Sequence, residues 1–231
     1  MTPGRRLGIV AGLPAEARAA RGGDSENIRI VCCGASAAQA EALARSLVDR
    51  GAAGLLSFGT AGGLRPGLSA GTVVVASRIV GPAGETFEID GDWAARLDAE
   101  LRPGLGTVSA PVAGTETIVA EVEAKAVLGK SSGAAAVDME SLAVARIGAA
   151  AGLPVAAVRV IVDPAERPLP ASLLSAPSSG GRPRAERILM ETFRQPRGLP
   201  ALARLAWDYR RALRSLRRVA VLGGFRFGFF V

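Results

Sequence analysis

No histidine occurs among the 231 residues, which removes a Ser-His-Asp triad and a His-ligated zinc site from consideration. Acid–base work in this chain falls mainly to carboxylates. Cysteine is nearly absent as well: Cys32 and Cys33 stand side by side in the apolar run "IRIVCCG". Adjacent strand residues face opposite sides of a sheet, so a bridge between them would be strained. Both read as buried filler in a reducing compartment rather than a metal or redox pair. No apolar run reaches the roughly 20 residues that cross a bilayer. The N-terminal "MTPGRRLGIVAGLPAE" holds too short an apolar stretch for a signal peptide, so a cytoplasmic protein is expected.

What is present is a chain 49% hydrophobic and 21% charged, too apolar for general disorder and long enough for one large domain or two small ones. The net charge of +7 is unevenly spread. Residues 182–231 carry twelve arginines against Glu186, Glu191 and Asp208, a balance of +9, while residues 1–181 hold sixteen basic and eighteen acidic residues, a balance of −2. A near-neutral body with a strongly basic tail is a functional hint in its own right.

Along the body, short apolar strands alternate with helical stretches. "RRLGIVAG" reads as a strand and "PAEARAA" as a helix with Pro14 in its first turn. "IRIVCCG" is a second strand, and "SAAQAEALARSLVDRG" is a helix with Ser36 as cap and Gly51 as stop. "AGLLSFGTAGG" reads as a buried strand running into a glycine-rich turn. Strands follow at "GTVVVASRIV", "GTVSAPVAG", "AAAVDM" and "LPVAAVRVIVD", with helices at "VAEVEAKAVLG" and "ESLAVARIGAAAG". This alternation predicts an α/β sheet covered on both faces, with ligands gathered at strand ends. After Asp163, "PAERPLPASLLSAPSSGGRPR" reads as a loop. "GLPALARLAWDYRRALRSLRRVAVL" then sets Leu199, Leu202, Leu205, Tyr209, Leu213 and Leu216 in one apolar stripe, with Arg204, Arg211 and Arg218 opposite: a basic amphipathic helix.

Four segments at predicted strand ends carry candidate chemistry. Glu16 in "GLPAEA" is either a solvated carboxylate complementing the helix dipole or a site residue. "SFGTAGG" is either a tight turn or a place where backbone N–H groups and the Thr60 hydroxyl approach a ligand. Its spacing matches neither a dinucleotide fingerprint nor a Walker motif. In "AAAVDM", strand alternation would put Asp138 and Glu140 on one face, where they repel unless a donor-rich partner such as a diol is bound. The competing reading caps the helix that begins near Ser141, with one carboxylate facing water. Asp163 closes a β-branched strand before Pro164; it is either a turn residue or a partly desolvated carboxyl that keeps a proton available.

Together, in this order, "GLPAEA", "FGTAGGL" with "GTVVVAS", "VDMESLAVA" and "VRVIVD" resemble the purine nucleoside phosphorylase and nucleosidase superfamily over roughly residues 6–163. Within it the chain is most similar to the methylthioadenosine/S-adenosylhomocysteine nucleosidases and to the hopanoid-associated phosphorylase branch. The resemblance implies a three-layer fold with a central mixed sheet flanked by helices, extended here by a basic C-terminal amphipathic helix. It implies a catalytic domain over 1–165, a linker over 166–184 and a helical extension over 185–231 that packs on the body or a membrane surface.

It also implies roles. Glu16 activates the attacking water, Thr60 lies beside that nucleophile, and Gly62 belongs to the same glycine segment. Glu140 holds the ribose hydroxyls with Met139 packed on the sugar, and Asp163 protonates the purine at N7. The backbone at Thr117 and Ile118 reads the base edge. Asp138 is expected to be structural support. Phosphorylases of this fold clamp phosphate with arginines where Ser57 and Glu16 stand here, so hydrolysis is favoured, with inorganic phosphate as the alternative co-substrate and Arg65 its only nearby substitute clamp. No cofactor or metal is implied. Where many relatives have a phenylalanine at the purine, this chain has Thr117.

The implied substrate is a small nucleoside, adenosylhopane in hopanoid side-chain biosynthesis, with a methylthioadenosine/S-adenosylhomocysteine nucleosidase as the alternative and a non-catalytic nucleoside-binding or membrane-surface protein as a third reading. The basic helix suggests peripheral contact with an anionic membrane and lacks any nucleic-acid-binding motif. A homodimer is the expected assembly.

Overall fold

The ladder of hydrogen bonds around one long strand organises this molecule. The computed structural model describes residues 6–21, 27–170 and 199–229. Among these, the elements run β1 (Arg6–Ala11), α1 (Pro14–Ala20), β2 (Ile28–Cys32), α2 (Ala37–Asp49), β3 (Ala52–Gly63), β4 (Val73–Val80), β5 (Thr86–Glu88), α3 (Gly91–Leu105), β6 (Thr107–Gly114), α4 (Val122–Ser132), β7 (Ala136–Asp138), α5 (Ser141–Ala150), β8 (Val155–Asp163) and α6 (Leu199–Leu222). The expected α/β architecture is present: a mixed central sheet flanked by helices. Most of the linker expected at 166–184, and the start of the C-terminal extension, lie outside the described residues.

The strands do not form a simple open sheet. β3 pairs with β8 in parallel, β8 with β4 antiparallel, β4 with β6 in parallel, β6 with β7 in parallel, and β7 returns antiparallel to β3. Five strands therefore close into a ring, and β1 and β2 continue outward from β3. The interior is filled by side chains that read as continuous apolar runs in the sequence, such as Val158, Val160 and Ile161 of β8 against Leu55, Leu56 and Phe58 of β3, all fully buried. Strands covered on both faces need no polar alternation.

One expectation is corrected here. The glycine-rich stretch does not turn: β3 continues through Thr60 to Gly63, held by β8 along one edge and by β7 at Gly62 and Gly63. Ladder partners on both sides outweigh the weak strand preference of glycine. The helix limits follow local chemistry as expected. Ser36 Oγ accepts from Gln39 N at the start of α2, and Gly51 past its end takes φ +80°. Two elements had no sequence signal, β5 and α3, both in and after "GPAGETFEIDGDW". Cys33 is buried as expected, but Cys32 is exposed at the end of β2.

The C-terminal half of α6 packs on the body through Ala212, Leu216, Val219 and Ala220. The following residues turn inward. Phe229 lies 4.7 Å from Trp93, ring centre to ring centre, and Trp93 Nε1 donates to Phe227 O at 2.6 Å. Gly54 lacks the Cβ that would meet the Phe229 ring at 2.5 Å, so its small size admits the aromatic. Phe229→Ala is expected to destabilise the fold by about 3 kcal/mol, the usual cost of emptying an aromatic site, read as a lower midpoint in urea denaturation.

Candidate active site

The site begins at a gap in the ladder. Along one edge of β3, β1 pairs as far as Phe58 and β7 pairs only from Gly62. Between them the Thr60 N–H has no strand partner on that edge, and Glu16 supplies one. Its Oε1 accepts from Thr60 N at 2.9 Å and from Thr60 Oγ1 at 2.6 Å, while Oε2 accepts from Leu13 N at 2.9 Å. Glu16 thus caps the first turn of α1 and is still drawn inside, 2% exposed. Of the two sequence readings, the solvated one is excluded.

Beside this gap lies Arg159, which sequence reasoning left as an ordinary strand residue. It sits in the middle of β8 and is wholly buried. Its guanidinium pairs with Asp138 Oδ2, lies 3.5 Å from Glu140 Oε2, and donates to Ser57 Oγ and Ser141 Oγ. Burial alone would favour its neutral form, but Asp138, Glu140 and Glu16 hold it charged. A charged residue amid "VAAVRVIVD" was the available signal, because burying a lone charge demands partners.

Arg159 also explains the paired carboxylates. β7 ends at Asp138, so the strand alternation expected to place Asp138 and Glu140 on one face does not reach Glu140, which has helical φ and ψ at the start of α5. Asp138 accepts from Ser141 N at 3.2 Å, so the capping reading holds for it, except that it faces Arg159 and not water. It belongs to the supporting framework. Glu140 is 5% exposed. Burial, with Asp138 and Glu16 as like charges and Arg159 opposing, pushes its carboxyl up to about 7.

Arg159 Nη1 is buried and has no hydrogen-bond partner among the described residues. The missing side chain of Gly59 shows where it points: a Cβ there would lie 2.6 Å from Nη1 and 2.7 Å from Glu16 Oε2. Glycine at this position thus lets an unpaired donor and a carboxylate oxygen pack against the strand backbone, where any side chain would clash. On the other side, a Cβ at Gly12 would meet Glu140 Oε1 at 2.8 Å and Glu16 Oε2 at 3.2 Å.

Asp163 ends β8 through a bulge. Ile161 is opposite Ala61 and Asp163 opposite Gly62, leaving Val162 as the extra residue. Such bulges re-aim side chains next to sites. Asp163 is 7% exposed; burial raises its carboxyl to about 6, against the pull of Lys125. Lys125 Nζ lies 2.6 Å from Asp163 Oδ2, a second buried cation that sequence reasoning did not find.

A cavity of about 760 Å³ joins these groups. Glu16, Thr60, Gly62, Thr117, Ile118, Met139, Glu140 and Asp163, the residues singled out from sequence, all line it. Leu202, Leu205, Ala206 and Tyr209 from the N-terminal half of α6 form one wall. The apolar stripe of that helix therefore divides, its later part in the core and its earlier part on the cavity. Arg65 is exposed and is not among the lining residues. Ser57 is locked in the Arg159 network and is 1% exposed. Among the described residues no group of acidic and cysteine side chains is arranged to hold a metal ion, and no helix is long and apolar enough to cross a membrane.

The sequence profile described as the phosphorylase superfamily matches residues 14–192. No curated protein sequence matches the chain. Among solved structures, the 5′-methylthioadenosine/S-adenosylhomocysteine nucleosidase of Neisseria meningitidis in complex with methylthio-immucillin-A is 17% identical with a TM-score of 0.72, covering 94% of this chain and 98% of that one. An aspartate-to-asparagine mutant of the Helicobacter pylori nucleosidase, with 5′-methylthioadenosine in its active site, is 17% identical with a TM-score of 0.68, covering 95% and 99%. A futalosine hydrolase mutant of Helicobacter pylori is 18% identical with a TM-score of 0.61, covering 68% and 89%.

Removing the buried cation leaves its carboxylates uncompensated. Arg159→Met is expected to destabilise the protein by about 3–5 kcal/mol near neutral pH, with part of the loss recovered as the pH is lowered and the carboxylates take up protons. Denaturant midpoints across a pH series measure both effects.

Proposed function

The chain belongs to the phosphorylase superfamily, and from that premise we propose that it is a purine nucleosidase releasing adenine from adenosylhopane, a lipid-linked adenosine, in hopanoid side-chain biosynthesis. The observation that carries this reading is the placement of two buried carboxylates, Glu16 and Asp163, on one cavity that Met139 and Glu140 also line. Asp163 gives its proton to N7 of the purine while the C1′–N9 bond breaks and its electrons move into the base. Positive charge grows on the ribose, and Glu140 accepts the ribose hydroxyls with Met139 against the sugar. Water on the cavity side of Glu16 loses a proton to Glu16 and bonds to C1′. The backbone at Thr117 and Ile118 reads the base. An acid at the leaving group and negative charge near an oxocarbenium-like state are the two aids this chemistry uses.

Water suits this space better than phosphate. A phosphate dianion would approach Glu16, Glu140 and Asp138 with Arg159 as the neighbouring cation, and Ser57 and Arg65 offer it no clamp. Like charges at such range in a buried setting repel strongly. The apolar wall of Leu202, Leu205 and Ala206, with Leu13 and Leu169, supports an apolar 5′ substituent. Behind that wall, the outer face of α6 exposes Arg204, Arg210, Arg211, Arg214 and Trp207, a pattern suited to an anionic membrane holding the substrate. The catalytic unit spans 1–165 with the C-terminal extension at its mouth, and it works as a homodimer at the inner membrane face. A second reading, a methylthioadenosine/S-adenosylhomocysteine nucleosidase, is favoured by the near-complete mutual coverage with the Neisseria meningitidis enzyme.

The deciding assay offers the enzyme adenosine, methylthioadenosine and adenosylhopane, with and without phosphate, and follows free adenine. Adenosylhopane is expected to be the best substrate at a rate indifferent to phosphate; rapid turnover of methylthioadenosine with none of the lipid would give the second reading. Asp163→Asn is expected to lower base release by about 10²–10⁴-fold, the range of general-acid catalysis, with an unchanged circular dichroism spectrum. Because Asp163 must carry its proton, wild-type turnover should fall as the pH rises past about 6. The protein should sediment with anionic but not neutral vesicles, and Arg210→Glu with Arg214→Glu should abolish that.

A further inference from the structure

Helix α4 buries one residue fully, and that residue is Lys125. A surface helix ordinarily buries an apolar stripe, so a lysine as its most buried side chain calls for a local reason. The chain is also sparing with lysine: Lys125 and Lys130 are its only two, so 26 of its 28 basic residues are arginine. Lys125 is 0% exposed. Its ammonium donates to Arg167 O at 2.8 Å and Pro164 O at 3.2 Å and forms an ion pair with Asp163 Oδ2 at 2.6 Å. A compact ammonium fits this cluster, whereas a planar guanidinium is larger and directs its donors in a fixed fork.

The other charged groups near Asp163 are committed elsewhere. Arg167 pairs with Asp208 of α6 at 2.8 Å, and Glu166 accepts from Gly67 N at 2.6 Å. Gly62 and Val137, the neighbours from β3 and β7, bring no charge. Lys125 is thus the cation in direct contact with the carboxyl, in a place where an ionised carboxylate would otherwise be desolvated.

We propose that Lys125 is a positioning residue for the proton donor: it fixes one oxygen of Asp163 and balances the negative charge that Asp163 acquires when its proton leaves. This rests on the reading of Asp163 as the acid. As the proton passes to the purine and the C1′–N9 bond breaks, the carboxylate left behind already faces an ammonium at 2.6 Å. The ion pair lowers the energy of the state reached by proton transfer, and it keeps the acid close to neutrality against the upward push of burial. Through Pro164 O and Arg167 O the same ammonium ties α4, which follows the cavity-lining segment at Thr117 and Ile118, to the turn after Asp163.

Two measurements test this. With two lysines in the chain, the side-chain ¹⁵N resonances are readily assigned with Lys125→Gln. The Lys125 signal should shift with pH along the titration of Asp163, and the shift should vanish in Asp163→Asn; a signal indifferent to pH in the wild-type enzyme overturns the proposal. For turnover, Lys125→Gln keeps N–H donors for the carbonyls but removes the charge. It should release adenine about tenfold or more slowly at low pH, with its alkaline limb moved up by about one unit or more. A 4-nitrophenyl riboside with the same 5′ group, whose leaving group needs no proton, should be cleaved within about twofold of wild type. Equal slowing of both substrates, or an unmoved alkaline limb, means the role is structural and overturns the proposal. If instead Asp163→Asn releases adenine at the wild-type rate while the resonance still follows Asp163, the acid assignment fails and the ion pair stands.

Discussion

Arg159 is taken wholly out of water in the middle of a β-branched strand, and the arrangement of the cavity around Glu16 and Glu140 follows from satisfying it. Its partners arrive from three other elements: Ser57 from β3, Asp138 from the end of β7, and Ser141 with Glu140 from the start of α5. Because a buried ion is tolerated only when opposite charges and hydrogen-bond acceptors surround it, those elements must meet at one point. Glu140 then stands close to the guanidinium but is not fully neutralised by it, since Asp138 takes the shorter contact. Burial and the like charges of Asp138 and Glu16 therefore outweigh the guanidinium and push this carboxyl up to about 7.

The second constraint is topological. A closed ring of five strands with β1 attached outside it forces β1 and β7 to share one edge of β3, and they leave a short interval unpaired. Backbone donors in such an interval need an acceptor, and Glu16 serves as that acceptor while also ending the first turn of α1. Glycine at 59 leaves room beside it. The charged components are held by groups that would be present whether or not a ligand were bound, so little needs to rearrange when one enters.

Much of this was legible in the sequence, because strand and helix limits rest on local signals: β-branched runs, Ser36 as a cap, Gly51 as a stop. The residues at the strand ends were recognisable as a set because the order of their motifs resembles a family, and the structure brings them round one cavity. What escaped depended on partners distant in the chain. Lys125 sits in a helix of weak apolar pattern, and the carboxyl that draws it inward is 38 positions away. Arg159 offered a clue, a charge among valines, but its meaning came only with Asp138 and Ser57. The strand through Thr60 to Gly63 was unreadable for the same reason, since glycines take whatever conformation their ladder partners impose. The expected alternation of Asp138 and Glu140 failed because a strand of three residues ends before the second of them.

Helix α6 has a consequence of scale. At 1.5 Å per residue its 24 residues span about 36 Å, and the half beyond Asp208 is fixed in the core. The free-facing half meets the cavity at Leu202, Leu205, Ala206 and Tyr209, a run of about 10 Å along the axis by the same rise. Anchored at its far end in the core, this run lies along one wall of the cavity. One helix thus supplies both core packing and cavity wall, so a substitution in its later half that shifts the helix would also move that wall.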